Sequence, residues 1–232
     1  MSLRRLAGRV WLFAHDPDPS RVQPCVGVVD LGDRCVLVDA GNSPAHGRRV
    51  RAAVREAGLP EVATIVYTHH HWDHVWGAAA FDVDDVVGHA AGEPLLLEDA
   101  ARHWSAAYAD RLLRDRPRMA ASLAARRRAV EDWSELRVRP PTRTFEDELE
   151  LAPGLTVRHV GGGHAPDSSI VVDTDAGVAL LGDCFYPPPL HLREPGDDVD
   201  EAMLDELARL PVAWLVEAHA DPRPLSEVWE RE

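Results

Sequence analysis

The chain has 232 residues, 45% hydrophobic and 28% charged, with 39 acidic against 25 basic side chains and a formal net charge of −14. That composition fits one compact domain, 1–232, or at most two small ones. No stretch approaches the roughly 20 uninterrupted apolar residues that span a bilayer. The start, MSLRRLAGRVWLFAHDPDP, has charge and Pro where a secretory signal needs an apolar run, so a cytoplasmic location without a membrane partner is expected. The acidic balance argues against a general nucleic-acid binder, which needs cations facing phosphates. Every basic residue is Arg, which excludes Schiff-base chemistry and a Lys-dependent phosphate loop. Cys25, Cys35 and Cys184 form no CxxC pair, so neither a disulfide scaffold nor a thiolate zinc finger is indicated. The unusual count is 12 His, the side chain that most often ligates metals and titrates near neutral pH.

In chain order, residues 10–13, 25–31 and 34–41 read as short strands separated by turn residues, a β-meander. Residues 46–57 read as a helix stopped by Gly58, and 63–67 as a buried strand that runs directly into His69-His70-His71. From about 93 to 137 the pattern changes: Leu97, Ala101, Trp104, Tyr108 and Leu112 recur at helical spacing, and less cleanly Met119, Leu123, Val130 and Trp133. This predicts a helical insertion of two helices broken near Pro117. Between Arg102 and Arg143 stand eleven Arg against five acids, a local balance of +6 on a body of −20. Such a face is either solvated or a cap whose Arg residues touch an anionic substrate. Strands follow at 148–151, 155–160, 169–173 and 178–181, then a helix at 200–210 and a last strand at 212–216. Many connections are hairpin-short, so two β-rich halves flanked by helices fit better than a doubly wound parallel sheet.

The chemistry concentrates in Thr68-His69-His70-His71-Trp72-Asp73-His74, an H-x-H-x-D-H pattern directly after a strand. Alternate side chains of an extended loop point the same way, so His69 and His71 can share one metal. Asp73 and His74, one turn on, can reach a second, while His70 and Trp72 point away. Three further groups each follow a predicted strand: His164 after Gly161-Gly162-Gly163, Asp183 after Gly182, and His219 after Glu217-Ala218. Ligands from several strand ends converge on one sheet edge. His15, His46, His103 and His159 have no ligand-type neighbours in sequence and read as packing or surface residues; His89 and His191 stay open, His191 because it follows Pro187-Pro188-Pro189 beside the site.

This set resembles the metallo-β-lactamase-fold superfamily along nearly the whole chain, from the VLVDAG segment with Asp39, a supporting non-ligand position, to His219. The resemblance implies an α/β fold, a four-layer αββα sandwich carrying a helical insertion. It implies that His69, His71 and His164 hold one metal, that Asp73, His74 and His219 hold the other, and that Asp183 bridges them. Two divalent ions are implied, with Zn2+ as the default and Fe or Mn compatible with the same donors. The implied reaction is hydrolysis of an ester-, lactone- or thioester-type carbonyl by a hydroxide between the metals, with Asp73 exchanging a proton.

Single residues weigh the branches. The best-known β-lactamases of this fold carry Cys where Asp183 stands and usually Arg where His74 stands, so the match is closer to glyoxalase-like and lactonase-like members. Cys184 faces opposite to its neighbour Asp183 in a strand. Tyr186, three residues after Asp183, sits where lactonases of this fold place a Tyr against the substrate carbonyl, though it also reads as a packing aromatic. The alternatives are a β-lactam hydrolase, a mononuclear iron persulfide dioxygenase and a non-catalytic metal-binding sensor. A small-molecule substrate, anionic if the Arg-rich insertion contacts it, is the expected partner.

Overall fold

The computed structural model describes residues 3–227. Its first four strands, β1 (Leu3–Ala7), β2 (Val10–Phe13), β3 (Val26–Asp30) and β4 (Cys35–Val38), pair antiparallel as a meander. Strands β5 (Val62–Val66), β6 (Asp85–His89) and β7 (Arg143–Phe145) then add in parallel, giving a seven-stranded sheet in the order β1 to β7. Parallel neighbours require crossover connections, and helices supply them. Helix α1 (Pro44–Glu56) joins β4 to β5, the single turn α2 (Trp72–Val75) lies between β5 and β6, and α3 (Glu93–Ala100), α4 (Ala106–Asp115) and α5 (Ala120–Ala129) lie between β6 and β7.

The second sheet contains β8 (Glu148–Ala152), β9 (Leu155–His159), β10 (Ser169–Asp173), β11 (Val178–Gly182), β12 (Trp214–Glu217) and β13 (Arg223–Pro224), in the order β13-β12-β11-β10-β9-β8. Helix α6 (Glu201–Leu207) carries the chain from β11 to its parallel neighbour β12.

Alternation along the strands divides the apolar residues into three cores. Val36 and Val38 of β4 and Val66 of β5 meet Val157, Val171, Leu180 and Val216 between the sheets. On the far side of the first sheet, Leu37 and Ile65 pack on Val50 and Val54 of α1 and on Trp76. On the far side of the second, Ile170, Ala179, Leu181 and Leu215 cover Met203, Leu204 and Leu207 of α6. Helix, sheet, sheet and helix thus stack as the expected four-layer αββα sandwich.

The insertion departs from its expected form. The 97–112 periodicity crosses two helices rather than one, because α3 ends at Ala100 and Ser105 starts α4 by accepting from the Tyr108 amide at 3.1 Å. Three helices therefore stand where two are expected, with the break at Pro117 present. Strands β1, β6, β7 and β13 have no sequence signal as clear as the others. In β6, Val86 and Val87 are buried on opposite faces, which erases alternation. β7 has three residues, two of them exposed.

Because β9, β11 and β12 run in one direction, their C-terminal ends share an edge of the second sheet; β4 and β5 likewise end together in the first. The site lies at these ends.

Candidate metal centre

Strand β5 delivers Thr68 and His69, and the short α2 brings Asp73 and His74 back toward the same edge. His164 follows β9, Asp183 follows β11, and His219 follows β12. Each strand end is shaped for close approach. Gly182 adopts φ +56°, and a Cβ there would lie 2.4 Å from Thr68 Oγ1, so no other residue fits the step before Asp183.

The seven candidate ligands gather as two adjacent groups whose donor atoms lie within 4.8 Å of one another: His69, His71 and His164, then Asp73, His74, Asp183 and His219. In the first, His71 Nδ1 lies 3.0 Å from both His69 Nε2 and His164 Nε2. In the second, Asp73 Oδ2 lies 3.4 Å from His74 Nε2 and 3.2 Å from His219 Nε2. Asp183 Oδ2 stands between the groups, 3.4 Å from His164 Nε2, 3.5 Å from His74 Nε2 and 3.6 Å from His219 Nε2.

The surroundings fix which ring nitrogens are bare. His74 Nδ1 donates to Asp39 Oδ2 at 2.8 Å, and His164 Nδ1 donates to the Pro187 carbonyl at 3.1 Å. His69 Nδ1 donates to Thr68 Oγ1 at 3.2 Å, and that hydroxyl donates to Asp39 Oδ2 at 2.9 Å. With the outer nitrogens protonated, Nε2 of all three histidines offers a lone pair to the cluster, the second-shell arrangement that orients metal-binding imidazoles. Asp39 anchors two of these chains and also accepts from the Thr68 amide at 2.8 Å. It does so from a left-handed backbone, φ +59°, costly for a non-glycine residue and typical of a position held for its function.

A cation fits these donors. His74 Nε2 and Asp183 Oδ1 are fully buried without a hydrogen-bond partner. Burial, and then the neighbouring imidazoles, hold His69 and His71 well below the usual histidine range, so they face one another as neutral donors. In the second group burial opposes charge, yet Asp39, Asp183 and Asp73 lift His74 well above that range. Burial opposes it in His219 too, but Asp183 and Asp73 raise this histidine to about 10. The pocket therefore attracts positive charge, and imidazole with carboxylate suits Zn2+, Fe2+ or Mn2+.

His70 and Trp72 turn away from the cluster. His70 Nδ1 lies 2.7 Å from Asp167 Oδ1, and Trp72 packs edge-on to Trp76. Cys184 points into the core beneath α6, opposite to Asp183. His46 is buried inside α1's N-terminal turn, and His89 stacks on His159 with ring centroids 3.7 Å apart, a partnership that residues so distant in sequence do not reveal.

Tyr186 is at the site, its ring centroid 6.4 Å from those of His164 and His219, but its hydroxyl donates to Glu217 Oε2 at 2.6 Å. Burial and then Glu217 push its pKa far upward. Donation to a substrate carbonyl would require that bond to break. Glu217, also held by Arg223, and Thr68 carry no sequence signal of their own: both act through neighbours that only the fold supplies.

Comparison with known proteins decides the family. A model of the metallo-beta-lactamase superfamily matches residues 20–219. The chain belongs to this superfamily. It is 28% identical over 227 residues to a linear primary-alkylsulfatase of a Pseudomonas species, across 84% of this chain and 41% of that protein. It is 29% identical over 102 residues to a probable metallo-hydrolase of Bacillus subtilis, across 42% of this chain and 32% of that protein. The chain thus spans less than half the length of these curated relatives. A crystal structure of a metallo beta lactamase from Hirschia baltica superimposes with TM-score 0.66 at 16% identity, across 98% of this chain and 95% of that one, a likeness of fold. No helix among the described residues is long and apolar enough to cross a membrane.

Proposed function

We propose that this superfamily member is a binuclear metallohydrolase acting on a small ester-, lactone- or thioester-type substrate. One observation carries the reading: two groups of bare, buried donors meet at a single carboxylate oxygen, Asp183 Oδ2, within 3.6 Å of three imidazole nitrogens. His69, His71 and His164 would hold one ion, Asp73, His74 and His219 the other, and Asp183 both, with zinc as the default. Bound there, two divalent ions would supply an acidified water as nucleophile and polarise the substrate's oxygen.

The protein's own groups do the rest. Asp39 keeps His74 and, through Thr68, His69 in the tautomer that ligates. Asp73 is the carboxylate beside both His74 and His219, placed to accept a proton from the attacking water and return it to the leaving group. Tyr186 lies along the same wall; with its hydroxyl hydrogen directed at Glu217, it would accept from the substrate and orient it rather than protonate it.

The alkylsulfatase relative favours a second reading, in which the bond cleaved is that of a sulfate ester. Metal analysis combined with a panel holding a β-lactam, an acyl-homoserine lactone, a thioester, an alkyl sulfate and a phosphodiester tests both. Turnover of a carbonyl ester by the two-metal form supports the first reading and turnover of the alkyl sulfate the second. No turnover across the panel overturns the hydrolase.

A further inference from the structure

Three consecutive arginines close α5, and their surroundings differ. Arg127 pairs with Asp110, and Arg128 donates to the Ser20 carbonyl at 2.7 Å. Arg126 turns inward. Its guanidinium carbon lies 5.5, 5.3 and 5.2 Å from the ring centroids of Trp72, Trp76 and Trp104. No described residue accepts a hydrogen bond from it or pairs with it, and its Nε is fully buried without a partner.

Asp99 ties the cage together. Trp76 Nε1 donates to Asp99 Oδ2 at 3.1 Å, Trp104 Nε1 donates to Asp99 Oδ1 at 3.2 Å, and Arg102 donates to the same Oδ1 at 2.9 Å. Asp99, the nearest candidate counter-ion, is thus occupied by the cage. A guanidinium whose Nε is buried without an acceptor is unfavourable. Aromatic faces offset part of that cost but offer no hydrogen bonds. The insertion's other arginines either reach acids and carbonyls or, like Arg114 and Arg116, stand in solvent.

Arg126 also borders the cleft. Trp72, one wall of its cage, immediately precedes Asp73. On the loop after Tyr186, His191 is depressed by burial and then by Arg126 and Arg118, and Arg118 ties the insertion to that loop by donating to the Arg193 carbonyl at 3.0 Å. The turn that leads into α5 thus touches the loop that follows Tyr186.

We propose that Arg126, set in its tryptophan cage, is the specificity residue that receives an oxyanion carried by the substrate, a carboxylate or a sulfate, through its planar fork of N–H donors. The assignment rests on the reading of this cleft as the hydrolytic site, but its test does not depend on turnover. Because the cage is made of tryptophans, it reports its own occupancy.

Tryptophan emission is followed while zinc-reconstituted and metal-free protein are titrated with hexanoate, hexyl sulfate and hexanol. A saturable change with an anion and none with hexanol is expected in both forms, and the tighter of the two anions identifies the group recognised. Arg126→Met should weaken that binding about 10- to 100-fold, as loss of a charged hydrogen-bonding partner does. Arg126→Lys, with charge but no fork, should fall between. The melting midpoint of Arg126→Met should equal or exceed that of the wild type. Equal anion affinity in wild type and Arg126→Met overturns the proposal. So does a wild type blind to both anions whose melting midpoint falls in Arg126→Met and recovers in Arg126→Lys, since the side chain then serves packing alone.

Discussion

The floor and the roof of the cleft are built by opposite means. The floor is a set of strand ends on the acidic body, where His69, His71, Asp73, His74, His164, Asp183 and His219 are held by backbone that two sheets fix in place. The roof is the Arg-rich insertion, three short helices whose inward cation is held by tryptophans rather than by an opposite charge. The difference separates two tasks. On the proposed reading, the floor concentrates donors for cations and carries the reaction, while the insertion presents a cation that selects the substrate.

Breaking the floor has the largest consequence. Asp183→Asn alters the carboxylate that lies against histidines of both donor groups, and turnover of every substrate should disappear while the circular dichroism spectrum stays that of the folded protein. An Asp183→Asn variant that retains wild-type kcat contradicts the bridging role. One layer out, Asp39→Asn leaves all seven donors in place but cannot accept from both His74 and Thr68 as a carboxylate does. Metal affinity should fall about 10- to 100-fold, measured by competition with a chromogenic chelator.

Breaking the roof has a selective consequence. Arg126→Met should lower kcat/KM for an anionic ester about 10- to 100-fold relative to a neutral ester of the same leaving group, with metal content unchanged. Loss of both substrates in parallel would place Arg126 in the floor's machinery instead and erase the division of labour.

A smaller effect belongs to neither surface. His46 is fully buried, its Nδ1 accepts from the Asn42 amide at 3.3 Å, and burial, then Arg49, lowers its pKa from 6.5 to about 3. The unfolded chain takes up this proton below pH 6.5, whereas the folded one does so only near pH 3. His46 thus leaves stability intact above pH 6.5 and withdraws it as pH falls toward 3, by about 5 kcal/mol in all. Urea unfolding of wild type and His46→Leu at pH 7 and pH 4.5 should show a shallower loss in the variant; equal losses would mean that His46 is not the buried neutral base described.

The same contrast governs what the sequence reveals. The floor is legible because its chemistry is local: six residues spell H-x-H-x-D-H, and the remaining candidate ligands each stand next to a Gly or Ala just past a strand end. Short apolar strands bounded by turn residues, such as β2, β9 and β11, are equally plain. The roof is not, because nothing in the run Arg126-Arg127-Arg128 distinguishes the inward residue from its outward neighbours. That distinction comes from Trp72, Trp76 and Trp104, which converge only in three dimensions. Tyr186 is intermediate: its position near the donor cluster follows from its offset to Asp183, but the acceptor of its hydroxyl, Glu217, is a β12 residue 31 positions away. The insertion's helix count was obscured by side chains that keep helical spacing across the non-helical segment before the Ser105 cap.

Metal stoichiometry decides whether the two adjacent donor groups hold two divalent ions. Protein reconstituted with zinc, freed of excess metal and analysed by plasma mass spectrometry should carry two ions per chain. His69→Ala should carry fewer, and His70→Ala, whose ring faces Asp167, should still carry two. A wild-type ratio of one or zero, or equal losses in His69→Ala and His70→Ala, would contradict the account.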